Sequence, residues 1–114
     1  MRIKGQLLIN AMQGLQLMPV GAYEKTVWVD GSPTEDKELQ VICYVYEPEM
    51  MEPQEVRIIL ENTPGNIEKI KDSIGQLIGT IENLEGLIPG ECTTFSGKLQ
   101  TEYAKIVAKG IKTK

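Results

Sequence analysis

The 114-residue sequence contains no histidine and only two cysteines. Without histidine it cannot form a Ser-His or Cys-His catalytic pair, a metal site with imidazole ligands, or an imidazole acid or base near neutral pH. Cys43 and Cys92 form no CxxC motif, so there is neither a zinc ribbon nor a thioredoxin-like dithiol. Cys43 lies in an apolar run, which predicts a small buried side chain. Most common hydrolase chemistry is excluded, and we expect a protein that is not an enzyme.

Long apolar runs and nucleotide-binding motifs are also missing. The longest apolar runs, such as residues 41–46, are far shorter than the roughly 20 residues of a membrane-spanning helix. The glycines form neither GxGxxG nor GxxxxGK[ST]. Glu47, Glu49 and Glu52 lack calcium-loop spacing, which favours a solvated acidic loop over a cation site. We therefore expect no membrane segment, no cofactor and no metal, in an unprocessed cytoplasmic protein.

Charge is unevenly distributed along the chain. The whole sequence has 12 basic and 16 acidic residues, a net charge of −4. Residues 96–114 reverse this balance, with one acid, Glu102, against a set of lysines: Lys98, Lys105, Lys109, Lys112 and Lys114. A chain that is acidic overall and basic in one segment is suited to docking that segment against a polyanion.

The length predicts one domain, residues 1–114, with a single core. At its start, residues 2–12 place Ile3, Leu7 and Ile9 on one face at a period of two, which predicts a first strand. Residues 13–22 fit either a second short strand or a loop.

The clearest strand signals lie in the middle of the chain. Residues 26–29 and 39–46 are rich in β-branched and aromatic residues, and they flank a turn-rich segment, 30–36. This pattern predicts a long hairpin. Residues 55–61 predict a further strand.

The period then changes to that of a helix. Residues 62–66 supply capping side chains and a proline, and Ile67, Ile70 and Ile74 recur at helical spacing. These features predict a short helix that ends near Gly75.

Residues 75–86 are ambiguous, because Leu77, Ile81 and Leu84 keep helical spacing and would extend that helix. Gly75 and Gly79 oppose the extension, at about 1 kcal/mol each relative to alanine. We therefore predict a strand over residues 77–84.

After a turn at 87–91, residues 92–95 are predicted to be extended. Residues 98–111 fit a strand or a helix, and the flanking Gly97 and Gly110 favour the strand. The assembled order predicts a mainly β fold: a partly open Greek-key barrel of five or six strands, like an OB-fold, with one short helix.

A family resemblance rests on the second half of the chain. A short helix containing DSIGQ (72–76), a strand, a Pro-Gly turn and a lysine-bearing last strand with GKL (97–99) follow one another. This order resembles the small OB-fold single-stranded-DNA-binding proteins of phages and plasmids. The resemblance implies that fold and a single-stranded DNA partner. It assigns no functional residue, because no fixed motif defines these proteins.

Single-strand binders stack bases on aromatic side chains. Tyr44 and Tyr46 are two residues apart and share a strand face, and Trp28 lies on the partner strand. The three side chains are candidates for a stacking platform. The alternative is that Trp28 and one tyrosine fill the core of this small domain.

Phosphate contacts require a basic track. The candidates are Lys98, Lys105 and Lys109. In a strand Lys105 and Lys109 face one side, as do Arg2 and Lys4, and pairing of the first and last strands would align these four in one stripe. The alternative is an ordinary solvated edge.

Two functions from different classes follow. The first is non-catalytic binding of single-stranded DNA in phage or mobile-element replication or recombination, by a homo-oligomer in the cytoplasm, which is the host cytoplasm if a phage encodes it. Replication or recombination proteins would be further partners. The alternative is a structural or virion assembly protein whose β-rich domain packs against copies of itself.

Overall fold

The computed structural model describes residues 4–46, 54–96 and 102–111, in which strands predominate. Its main sheet has five strands and is not closed, which confirms the mainly β class and agrees with a partly open barrel. The helices and strands are α1 (Gln6–Ala11), β1 (Gln16–Val29), β2 (Ser32–Tyr46), β3 (Gln54–Leu60), α2 (Pro64–Ser73), β4 (Leu84–Glu85), β5 (Thr93–Ser96), β6 (Glu102–Val107) and β7 (Gly110–Ile111).

The predicted hairpin is confirmed, and it is longer than the sequence indicated. β1 and β2 pair from Gln16 opposite Tyr46 to Val29 opposite Ser32. The connection is the two-residue turn Asp30-Gly31, and both residues have positive φ, 51° and 79°. Asp-Gly is the favoured sequence for such a type I′ turn, because its twist matches that of the flanking strands. The uncertain segment 13–22 therefore contributes to β1 from Gln16 onward.

The sheet continues from β2 through β3 and β6 to β5. β3 runs antiparallel to β2, whereas β6 runs parallel to β3 and antiparallel to β5. The strands predicted at 55–61, at 92–95 and in the final lysine-bearing segment are confirmed. The short β4 and β7 form a separate two-stranded sheet.

The core lies on one face of this sheet, which we call the inner face. Alternate residues of β2 and β3, such as Val41 and Ile58, are fully buried there. Helix α2 covers this face with Ile70, which is 1% exposed. The helix starts as predicted, because the Thr63 hydroxyl accepts a hydrogen bond from the Asn66 backbone N–H, 3.2 Å, and Pro64 occupies the first turn.

The predicted first strand, residues 2–12, is wrong, because residues 6–11 form helix α1. Gly5 has a positive φ of 66° and turns the chain into the helix. Leu8, Ile9 and Met12 are buried while Leu7 is 72% exposed, which is the pattern of a helix and not of a strand.

The predicted strand at 77–84 is also wrong. Gly75 and Gly79 have φ of 81° and 102°, which lie in the left-handed region and interrupt an extended chain. Residues 75–79 instead run along the start of β1, where the Gly75 N–H donates to the Pro19 carbonyl, 2.7 Å, and the Leu17 N–H donates to the Gly79 carbonyl, 2.8 Å. A short 3-10 helix, Ile81–Asn83, follows.

Candidate nucleic-acid interface

The candidate interface lies on the outer face of the sheet, the face opposite helix α2. Side chains that alternate with the core residues point there, among them Ile42 and Tyr44 of β2 and Arg57 of β3. Ile59, two residues after Arg57 on β3, also lies on this face, and it is buried although it does not belong to the core cluster. The described part of this face combines apolar, aromatic and charged groups.

Three cations lie in one cross-strand row, which we call the basic row: Arg57, Lys105 and Lys4. Arg57 of β3 is the register partner of Lys105 in β6, and Lys105 is the partner of Thr93 in β5. Thr93 in turn forms an isolated bridge with the exposed Lys4. Because neighbouring strands are about 4.8 Å apart, the row runs about 14 Å from Arg57 to Lys4.

A carboxylate lies beside the basic row. The Glu55 Oε1 and Arg57 Nε atoms are 3.7 Å apart, and both side chains are about one-third exposed. At 3.7 Å the two atoms are beyond hydrogen-bond distance, and both side chains are partly exposed, so the pair contributes little to stability. It does lower the positive potential of the row at Arg57.

Two tyrosines stand on the same face. Tyr44 is 37% exposed and lies opposite Met18 on β1 and Glu55 on β3. Tyr23 is 39% exposed, and its hydroxyl donates to Oε1 of the buried Gln40, 2.8 Å. Tyr23 is opposite Gln40, four residues from Tyr44 along β2, so the two tyrosines are about 13 Å apart.

Trp28 does not join this group. It lies near the tip of the hairpin, opposite Pro33, and is 61% exposed, so the alternative of a core position is wrong. About nine steps of the β1–β2 ladder separate Trp28 from Met18, the partner of Tyr44, or about 30 Å. The structure therefore separates Trp28 from the platform proposed from the sequence. Tyr46 belongs to β2, but its side chain lies outside the described residues.

The predicted lysine track is only partly assembled. Lys105 lies on the outer face, whereas Lys109 follows the end of β6 at Val107. The Lys109 backbone N–H donates to the Glu85 carbonyl, 2.9 Å, so its position belongs to the small β4–β7 sheet. Lys98 and Arg2 lie outside the described residues, as does the acidic loop with Glu47, Glu49 and Glu52. Among the described residues, the segment predicted as the first strand forms helix α1 and pairs with neither β6 nor β7, although Lys4 still reaches the row through Thr93.

Arg57 and Lys105 are not recognisable as neighbours from the sequence alone. Their proximity depends on the parallel pairing of β3 with β6, between residues far apart in sequence. Alternation within each strand was the available signal, and it places each residue on a face without showing which strands are neighbours.

The two thiols are poorly suited to chemistry. Burial raises the pKa of the Cys43 thiol to about 12, so it is protonated at neutral pH. Burial also raises the pKa of Cys92, whose sulfur accepts a hydrogen bond from the Val107 N–H, 3.4 Å. Within 4–46, 54–96 and 102–111, His, Cys, Asp and Glu form no cluster that could hold a metal ion.

No family model, curated protein or solved structure matches this chain. The resemblance to small single-stranded-DNA-binding proteins therefore stays a prediction. In the part of the chain that the structure describes, no helix is long and apolar enough to cross a membrane.

Proposed function

We propose that this protein binds single-stranded DNA without catalysis and with little base-sequence preference. The observation that carries the proposal is the basic row beside Tyr44 on the outer face. In this mechanism Arg57, Lys105 and Lys4 contact successive phosphates, and Tyr44 stacks on a base. The context is phage or mobile-element replication or recombination in the cytoplasm, with other replication or recombination proteins as partners.

Several features support this arrangement over a purely electrostatic surface. Single-strand binders combine a positive track with aromatic faces, because every base has a π-face. Here the row crosses three strands, so their hydrogen bonds hold its cations in register. Tyr44 lies on the adjacent strand β2, two residues from Ile42, which is the register partner of Arg57.

The test is fluorescence anisotropy with labelled single- and double-stranded oligonucleotides at two salt concentrations. We expect Lys105→Gln to weaken single-strand binding and to reduce the log–log salt slope by about 0.7. Tyr44→Ala should weaken binding by about 1 to 3 kcal/mol and leave the slope nearly unchanged, since stacking releases few counterions. Lys37→Gln is the matched control, because Lys37 is exposed on the hairpin far from the row.

Absence of single-strand binding at low salt, where attraction is strongest, would reject this function. The structural or assembly role would then replace it. That second candidate is favoured by a separate observation, the projecting hairpin with Trp28 exposed near its tip.

A further inference from the structure

The distal part of the β1–β2 hairpin extends beyond the rest of the sheet. β3 pairs with β2 only as far as Leu39, so residues 32–38 pair with β1 alone. Near the tip, Trp28 and Val29 are 61% and 54% exposed. β1 is an edge strand, and in the described residues no strand pairs with its outer side over residues 20–29.

An apolar groove lies at the base of the same hairpin. It has a volume of about 260 Å³ and runs between β1 and helix α2 on the inner face. Ile67 and Ile70 of α2 and Ile74, the residue that follows the helix, form one wall; Ile74 is 42% exposed, and Lys71 lies beside them. Gly21, Ala22, Tyr23 and Glu24 form the wall made by β1.

The exposed tryptophan and the groove cannot meet within one chain. Ala22 and Trp28 belong to the same extended strand and are six residues apart, or about 20 Å. Any tryptophan from this sequence that fills the groove must therefore come from another molecule.

We propose that two copies of this chain pair antiparallel through the outer edges of β1, and that Trp28 of each copy inserts into the groove of the other. A twofold axis perpendicular to the paired sheet requires that one residue of β1 lies opposite the same residue of the second copy. With Lys25 at the axis, Trp28 lies opposite Ala22 of the second copy. Opposite residues in an antiparallel pair point to the same face.

This register directs the indole into the groove. Ala22 lies on the inner face, opposite Val41, and residues 24 and 26 alternate onto the same face. The register shifts between Thr26 and Trp28, but its extra residues lie in β2, so Trp28 follows on the same face of the continuous strand β1. The small Ala22 side chain leaves room for the ring, whereas an axis at Thr26 would place Trp28 opposite Glu24. Lys71 at the groove can then contact the indole face, which is a favourable cation–π geometry.

A second copy suits this edge because its β1 has the same length and the same unpaired outer edge. Insertion of the two tryptophans into the two grooves would bury roughly 400–600 Å² of accessible surface. This is less than the ~1,000 Å² that a biological interface needs, so the paired strand edges are a required part of the contact. The two Lys25 side chains face each other across the axis and repel. Each Lys25 also lies opposite Glu38 on β2 of the same chain, and this carboxylate offsets the repulsion.

A cysteine cross-link tests the register. In the proposed dimer the two Lys25 Cα atoms are about 4.5–5.5 Å apart, within the range for a disulfide. Lys25→Cys should therefore give a covalent dimer on mild oxidation. Lys37→Cys is the matched control, since the two β2 strands are three strand spacings apart, about 14 Å. The native Cys43 and Cys92 are buried and contribute little background.

Tryptophan fluorescence tests the groove, because Trp28 is the single tryptophan of the chain. Raising the protein concentration should shift its emission to shorter wavelength as sedimentation shows the dimer forming. Ala22→Leu, which fills the groove, should abolish both changes. Trp28→Ala should raise the dimer dissociation constant by about 100-fold or more, and the exposed position leaves the monomer fold intact.

The proposal is overturned if Lys25→Cys gives no more covalent dimer than Lys37→Cys. It is equally overturned if emission is independent of concentration while the protein dimerises, or if the protein stays monomeric. None of these measurements involves DNA, so failure of the proposed DNA binding would leave this test unaffected.

Discussion

Replacing Glu55 by glutamine should strengthen single-strand binding, which is the opposite of what most substitutions at a binding surface do. Glu55 Oε1 lies 3.7 Å from Arg57 Nε, so a phosphate hydrogen-bonded to Arg57 would be about 7 Å from the carboxylate. At that distance the repulsion is about 0.6 kcal/mol in a water-like dielectric and about 2.4 kcal/mol at a dielectric constant of 20. Because both side chains are about one-third exposed, we expect a value near the lower end.

The expected gain in affinity is therefore about 3- to 10-fold at low salt, and it should decrease as salt is added. Anisotropy titration with a labelled single-stranded oligonucleotide measures this gain directly. Stability should change by no more than about 1 kcal/mol, because the ion pair that is lost is partly exposed. A urea melt of each variant provides that control.

Glu38→Gln is the matched substitution on the same face. Glu38 precedes Ile42 by four residues on β2, and Ile42 is the register partner of Arg57, so Glu38 is about 13 Å away along the strand. Beyond the Debye length of roughly 8–10 Å the effect should be about 1.5-fold or less. Unchanged or weaker binding by Glu55→Gln, with normal stability, would contradict a phosphate contact at Arg57.

Three further predictions concern stability and the reactivity of the buried Cys43 thiol. The Asn66 side-chain amide donates to the backbone carbonyls of Glu61, 2.8 Å, and Lys109, 2.9 Å. Asn66→Ala should therefore lower the unfolding free energy by about 2 to 4 kcal/mol in urea melts. Asn62→Ala, at an exposed position, is the control and should lower it by under about 0.5 kcal/mol. Burial raises the pKa of the Cys43 thiol from 9.0 to about 12, so the folded state holds the thiol proton more tightly than the unfolded state does. The unfolding free energy should therefore fall as the pH rises above about 9, by up to about 1.4 kcal/mol per pH unit. Thiol labelling of Cys43 at neutral pH should accordingly be slow before unfolding and fast after it; immediate labelling of the native protein would contradict its burial.

The elements predicted correctly have local causes. The Asp30-Gly31 turn, the Thr63 cap and the β-branched runs of β2 and β3 each determine structure within a few residues. The wrong strand predictions, at residues 2–12 and 77–84, occur where tertiary packing or glycine backbone angles determined the structure and the hydrophobic pattern did not. Leu7-Leu8-Ile9 fits a strand by alternation, but only helical geometry buries Leu8, Ile9 and Met12 together.

The candidate site was only partly predictable for a related reason. Alternation within a strand placed Tyr44 and Tyr46 on one strand face, because it depends on one strand only. It left open whether that face is core or surface, and the structure has Tyr44 37% exposed. The neighbours of each residue depend on strand order. The sequence therefore predicts one platform for Trp28 and Tyr44, although the hairpin places them about 30 Å apart, and it does not link Arg57 with Lys105.

The position of β6 inside the sheet has a consequence for folding during synthesis. β3 is complete at Leu60, but the strand that pairs with its free side begins only at Glu102. Throughout the intervening synthesis the nascent chain displays an unpaired, largely apolar edge, of the kind that invites association with other extended chains. The β1–β2 hairpin forms early from local contacts, whereas the side-by-side arrangement of Arg57 and Lys105 needs a late, long-range pairing. A nascent chain thus has no complete basic row until the free edge of β3 has been covered.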